Sequence, residues 1–183
     1  MKTRSHGGES HVLSQSISTP RTELKPLTQD NWDLYRRLSS DPEIIALCFD
    51  PPTEADMRQK FESRLPIWTP QSEHWLCLVI YEKHSSQPIG ITGFVLQNGI
   101  AEVRYLLLPE FYGKQFGTES LAGVIDWAFN QHNISEFSAT VTEGNIGSER
   151  VLEKCGFKLT EIIPEAYEIG GKKYADRLYS LQK

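Results

Sequence analysis

A chain of 183 residues, 39% hydrophobic and 23% charged, suits one compact α/β domain with a sizeable core and is short for two. A formal net charge of -5 without a long basic run argues against direct nucleic-acid binding, which needs concentrated cations to neutralise phosphates. No apolar run approaches the roughly 20 residues that span a bilayer, so no membrane partner is expected.

Residues 1–18 are polar, rich in Ser, Gly and His, and lack the apolar centre of a signal peptide; they read as a flexible leader before a single domain over 19–183. Residues 22–27 suit a first strand, and Thr28-Gln29-Asp30 is a helix-start signal. Trp32, Tyr35 and Leu38, then Ile44, Ile45 and Leu47, suit two short helical pieces broken at Asp41-Pro42. Thr53 caps a further helix through Met57, Phe61 and Leu65 that ends before Pro66.

After Pro70 the pattern turns to sheet. Residues 75–81 and 88–96 are β-rich, Asn98-Gly99 is a hairpin turn, and residues 102–108 complete an antiparallel meander. Leu121, Val124, Ile125, Ala128 and Phe129 then fall on one face of a helix. Residues 137–141 form a strand, 145–155 a helix stopped by Gly156, and 157–163 a strand. Gly170-Gly171 turns the chain into a last strand at 174–181. The reading is a mixed, mostly antiparallel sheet flanked by helices.

Cys48, Cys77 and Cys155 and the five histidines show neither metal-ligand nor redox spacing. Reduced thiols in a cytoplasmic protein, and no metal, are therefore expected.

The most informative stretch is Leu106-Leu-Leu-Pro-Glu-Phe-Tyr-Gly-Lys-Gln-Phe-Gly-Thr-Glu-Ser120. A strand ends, a loop carries Gly113 and Gly117, and an amphipathic helix begins at once. A helix start offers unpaired N–H groups and partial positive charge, glycines let backbone approach a phosphate, and Lys114 adds a full charge. The same spacing also fits an ordinary strand–loop–helix connection, and neither nucleotide-loop pattern, GxxxxGK[ST] or GxGxxG, is present.

Those residues, with Asn145-Ile-Gly-Ser148, Val151-Leu-Glu-Lys-Cys-Gly-Phe157, Lys173-Tyr-Ala-Asp176 and more weakly Arg21-Thr-Glu-Leu-Lys-Pro-Leu27, resemble the GNAT acetyltransferases. The likeness is strongest to the branch of ribosomal-protein N-terminal acetyltransferases and covers nearly everything after the leader. It implies the GNAT fold, with acetyl-CoA in a split between the fourth and fifth expected strands, those at 102–108 and 137–141. It implies that the amides of Lys114, Gln115, Phe116, Gly117 and Thr118 hold the pyrophosphate, that Gly113 belongs to the same cofactor-binding turn, and that the backbone of Leu107 and Leu108 lines the pantetheine arm. Gln115 stands where the family carries its central Gly, which puts weight on its φ angle.

Leu152 occupies the position where many relatives place a tyrosine acid. The resemblance gives that part of the chemistry to Ser148, beside the sulfur, and a water-mediated proton relay to Glu102. Ser148 could equally bond a nearby backbone group. Glu102 could equally pair with Arg104 two residues along. Asn145 is a helix cap, a pantetheine contact, or both. Phe49, Asp50, Trp68, Tyr167 and Asp176 are candidate walls of the acceptor site, where aromatics and carboxylates suit a cationic amine.

The implied activity is acetyl transfer to a primary amine, foremost the N-terminal α-amine of a protein such as a ribosomal protein. A small amine (polyamine, amino acid or drug) and a non-catalytic acyl-CoA- or peptide-binding module are the alternatives. A monomer or homodimer is expected.

Overall fold

The computed structural model describes residues 16–183. Its strands are β1 (Ile17–Ser18), β2 (Thr22–Pro26), β3 (Leu76–Glu82), β4 (Pro88–Gln97), β5 (Ile100–Leu107), β6 (Glu136–Thr142), β7 (Lys158–Ile169) and β8 (Lys172–Gln182). The helices are α1 (Trp32–Ser40), α2 (Pro42–Ile45), α3 (Glu54–Ser63), α4 (Phe116–His132) and α5 (Ile146–Lys154). None of them is long and apolar enough to cross a membrane.

Local chemistry sets the helix boundaries. Asp41 accepts the N–H of Glu43 at 2.9 Å to start α2, and Thr53 accepts that of Asp56 at 3.1 Å to start α3. Pro42 breaks the chain between α1 and α2 because it has no N–H to give. The expected leader lies outside the described residues as far as 15. Its end departs from expectation, since Ile17 and Ser18 pair with Leu24 and Glu23 as the edge strand β1.

The sheet order is β1-β2-β3-β4-β5-β6-β8-β7. Every neighbouring pair is antiparallel except β5 and β6. Alternation along β3 assigns the two faces. Leu76, Leu78 and Ile80 join a core with Leu121, Val124 and Ile125 of α4, whereas Cys77 and Val79 join a second core with Tyr35, Leu38, Ile45 and Phe61 from α1, α2 and α3. Helices thus cover both faces, as expected of this mixed sheet.

The parallel pairing of β5 with β6 is brief. Ile100, Ala101 and Glu102 align with Glu136, Phe137 and Ser138, and the strands part beyond that point. β6 meanwhile stays paired with β8 as far as Thr142 and Asp176. From Val103 onward the outer edge of β5 is therefore open, and α4 and α5 begin beside the opening.

Candidate active site

The parted strands bound a cleft of about 630 Å³. Its lining includes Glu102, Arg104, Tyr105 and Leu106 of β5, Ala139 to Thr142 of β6, and Ser148 and Leu152 of α5. Phe49, Asp50, Tyr167 and Asp176 also line it, so four of the five expected wall residues converge on one space. Trp68 does not. It is 3% exposed, with its ring 5.2 Å from Phe94 and 6.1 Å from Trp127 in the core beneath α4, so the expectation that it faces an acceptor is corrected.

Next to Tyr105 of the cleft wall lies the loop before α4, where Gly117 approaches the Tyr105 ring. Among the described residues, no acceptor is within hydrogen-bond reach of the amides of Gly113, Lys114, Gln115, Phe116, Gly117 and Thr118. The first bonded amide of the turn is that of Glu119, which reaches the Gln115 carbonyl at 3.0 Å. A run of free N–H groups at a helix start is an anion cradle, so the loop fits a pyrophosphate.

Gln115 has φ +67° and ψ +13°, the left-handed conformation that glycine adopts without cost. The chain tolerates a side chain there, and Gln115 Oε1 accepts from Lys154 Nζ at 3.0 Å on the surface. That exposed bond is worth little. Gln115→Gly should therefore stabilise the fold by about 1 kcal/mol, read as a higher denaturation midpoint with an unchanged slope. An unchanged or lower midpoint would count against strain at this residue.

The loop is anchored from behind. Glu119 Oε2 accepts from the Thr19 hydroxyl at 2.6 Å and the Arg21 amide at 2.8 Å, while its Oε1 takes Arg21 Nε at 2.8 Å. Arg21 also donates to the Lys114 carbonyl at 2.9 Å, and its guanidinium lies 4.3 Å from the centre of the Phe116 ring. Since a trans peptide is planar, turning the Lys114 carbonyl toward Arg21 aims the Gln115 N–H away from Arg21.

Gly117 serves packing as well. A Cβ there would sit 3.3 Å from the Tyr105 ring, so its absence eases the close approach of the start of α4 to β5, while Val151 at 3.5 Å would be in ordinary contact.

Backbone use separates the two leucines expected along the pantetheine arm. The Leu108 N–H reaches Ile89 at 2.9 Å and its carbonyl takes the Phe111 N–H at 3.0 Å, so Leu108 is already committed. By strand alternation the free edge falls to Leu107, Tyr105 and Val103. The expectation for Leu108 is thereby corrected.

Asn145 caps α5, its side-chain oxygen accepting the Ser148 N–H at 3.3 Å. Ser148 Oγ in turn accepts from the Tyr105 hydroxyl at 3.3 Å. Burial pushes the Tyr105 phenol up to about 12, so it stays a proton donor at neutral pH. Next to Ser148, buried Glu149 accepts from the Tyr179 hydroxyl at 2.8 Å and pairs with Arg177, which ties α5 to β8. Glu102 lines the cleft with its carboxylate 3.7 Å from Arg104, and the Asp50 carboxylate accepts the Gly170 N–H at 2.7 Å.

Tyr105 escaped the sequence reading because, within the alternating strand, a phenol facing a cleft and one facing a core look alike. Its hydroxyl partner lies 43 positions away on α5.

A family model described as an acetyltransferase (GNAT) domain matches residues 21–158. An uncharacterised N-acetyltransferase, p20 of Bacillus licheniformis, is 23% identical over 173 residues, which is 92% of this chain and 97% of the relative. Two solved structures share the fold. One is RimL, a ribosomal L7/L12 α-N-protein acetyltransferase in complex with coenzyme A (TM-score 0.80, 16% identity, 91% of this chain and 97% of that one). The other is a Vibrio cholerae spermidine N-acetyltransferase in complex with coenzyme A and spermine (TM-score 0.76, 18% identity, 88% and 95%). The fold and these matches define an acetyl-CoA-dependent N-acetyltransferase. The chain belongs to the GNAT acetyltransferase family.

Proposed function

We propose that the protein transfers the acetyl group of acetyl-CoA to the N-terminal α-amine of a protein, such as a ribosomal protein. One observation carries this reading: the sheet opens between β5 and β6 with the Tyr105–Ser148 pair on its wall, next to a loop whose amides have no partner among the described residues.

In this reading the loop amides hold the pyrophosphate, and the free edge at Leu107 and Tyr105 takes the pantetheine as an added strand would. Transfer forms an N–C bond and breaks the C–S bond. The attacking amine must be unprotonated, and Glu102 accepts its proton through water. Ser148 Oγ donates a proton to the departing sulfur and takes one from the Tyr105 hydroxyl, which recovers it from cleft water supplied with the proton that Glu102 accepted. The rest of the rate comes from holding amine and thioester in line. A cytoplasmic site of action agrees with three cysteines that are all free.

The carboxylates of Glu102, Asp50 and Asp176 in the same cleft favour a second reading, a small polyamine acceptor. The two are separated by incubating the protein with acetyl-CoA and equal concentrations of an N-terminal peptide and spermidine, then resolving products by mass spectrometry. Acetylation of the peptide α-amine in preference to spermidine is expected. Preferential acetylation of spermidine would move the assignment to the polyamine.

A further inference from the structure

The acceptor side of the cleft carries cations that an amine does not call for. Arg64, at the C-terminal end of α3, lines the cleft together with Arg104 and Trp75. Its guanidinium carbon lies 5.5 Å from the centre of the Trp75 ring and 5.7 Å from that of Tyr35. Among the described residues it has no carboxylate within ion-pair distance. The guanidinium carbon of Arg104 is 4.8 Å from the same Trp75 ring, and its distance of 3.7 Å to Glu102 is too long for a hydrogen bond.

Two guanidinium groups set against one indole stand close together with their N–H forks available to a planar anion. A polyamine brings only positive charge to such a wall. An acceptor that carries a carboxylate close to its amine meets the arginines with one group and the acidic residues with the other.

Resting on the acetyl-transfer reading, we propose that Arg64 and Arg104, held against Trp75, form an anion subsite selecting amine acceptors that carry a carboxylate. The carboxylate comes either from an acidic side chain near a peptide's N-terminus or from the α-carboxylate of a free amino acid. Charge-assisted, forked hydrogen bonds give the selection, and its strength falls with added salt because the subsite is open to solvent.

The test compares kcat/KM at low salt for four acceptors: a peptide with Glu at its second and third positions, the matched Gln peptide, free glutamate, and spermidine. The Glu peptide should exceed the Gln peptide by about tenfold, the worth of one charge-assisted hydrogen bond. That ratio should shrink toward one in Arg64→Gln and be partly kept in Arg64→Lys. Each ratio is internal to one enzyme preparation, so partial misfolding of a variant does not distort it.

A free amino acid outpacing the peptide would support the subsite and name the smaller carboxylate source. Equal rates on the Glu and Gln peptides, spermidine as the best acceptor, or a ratio surviving in both Arg64→Gln and Arg104→Gln would overturn the subsite while leaving acetyl transfer intact. Absence of any acetylated amine would instead overturn the acetyl-transfer reading, and the subsite with it.

Discussion

Ser148→Ala is expected to lower kcat about a hundredfold, the usual worth of a positioned proton donor, while acetyl-CoA affinity stays within about twofold. The argument rests on placement. Ser148 sits in the first turn of α5, its amide held by Asn145 and its hydroxyl by Tyr105, on the wall of the cleft. The position where many relatives carry a tyrosine acid holds Leu152, 3% exposed in the core, so no other hydroxyl on α5 can substitute.

Tyr105→Phe removes only the partner of that hydroxyl, and a smaller fall of about tenfold is expected. The phenol ordinarily ionises near 10.0, and burial raises it to about 12. Its proton is therefore retained at every pH below the ordinary value, and kcat should not decline on the alkaline side until beyond it. The linked stability follows the same sign: the contribution is complete below the ordinary value and is lost as pH rises through the folded one. Equal losses of kcat and acetyl-CoA affinity in Ser148→Ala would make the residue structural.

The second large effect falls on binding. Glu119→Ala should weaken acetyl-CoA binding about tenfold, measured by calorimetric titration, with kcat at saturation little changed. Glu119 is not part of the cleft lining. It gathers the Thr19 hydroxyl, the Arg21 amide and the Arg21 guanidinium, and Arg21 then fixes the Lys114 carbonyl. Without that clamp the Lys114 carbonyl, and with it the Lys114–Gln115 peptide, is no longer held.

Burial pushes the Glu119 carboxyl up, but the hydrogen bonds from Thr19 and Arg21 and the charge of Arg21 outweigh it and hold the group below the usual carboxylate range. The clamp's stability is thus complete above the unfolded value and declines as pH falls through the folded one. Undiminished affinity in Glu119→Ala would show that the loop holds its shape alone.

Much of this architecture was readable in advance where the cause is local. The cap at Thr53, the break at Asp41-Pro42, the hairpin at Asn98-Gly99 and the glycine after α5 depend on neighbouring residues, and the structure has each of them. β7 runs to Ile169 where a strand ending at 163 was expected, because Pro164 interrupts the local signal. The irregular register between Ile163 and Tyr167 absorbs that interruption, and the strand resumes against β8.

Trp68 was misplaced and Tyr105 passed over for a different reason. An aromatic in a loop or strand can face a core or a cleft, and only packing between distant elements decides it. Trp68 is claimed by Phe94 and Trp127, while Tyr105 is brought to Ser148 by the close approach that Gly117 permits. The strain at Gln115 was located by sequence as a question about φ, and its value of +67° answers it.

The most direct test of the whole account is to follow free thiol released from acetyl-CoA by the wild-type protein, with and without a peptide bearing a free α-amine. The account predicts thiol release that depends on the amine and matches the acetylated peptide one for one. Acetyl-CoA that raises the melting temperature, yet yields neither thiol nor acetylated product with any amine in a broad panel, would contradict it and mark the protein as a binding module.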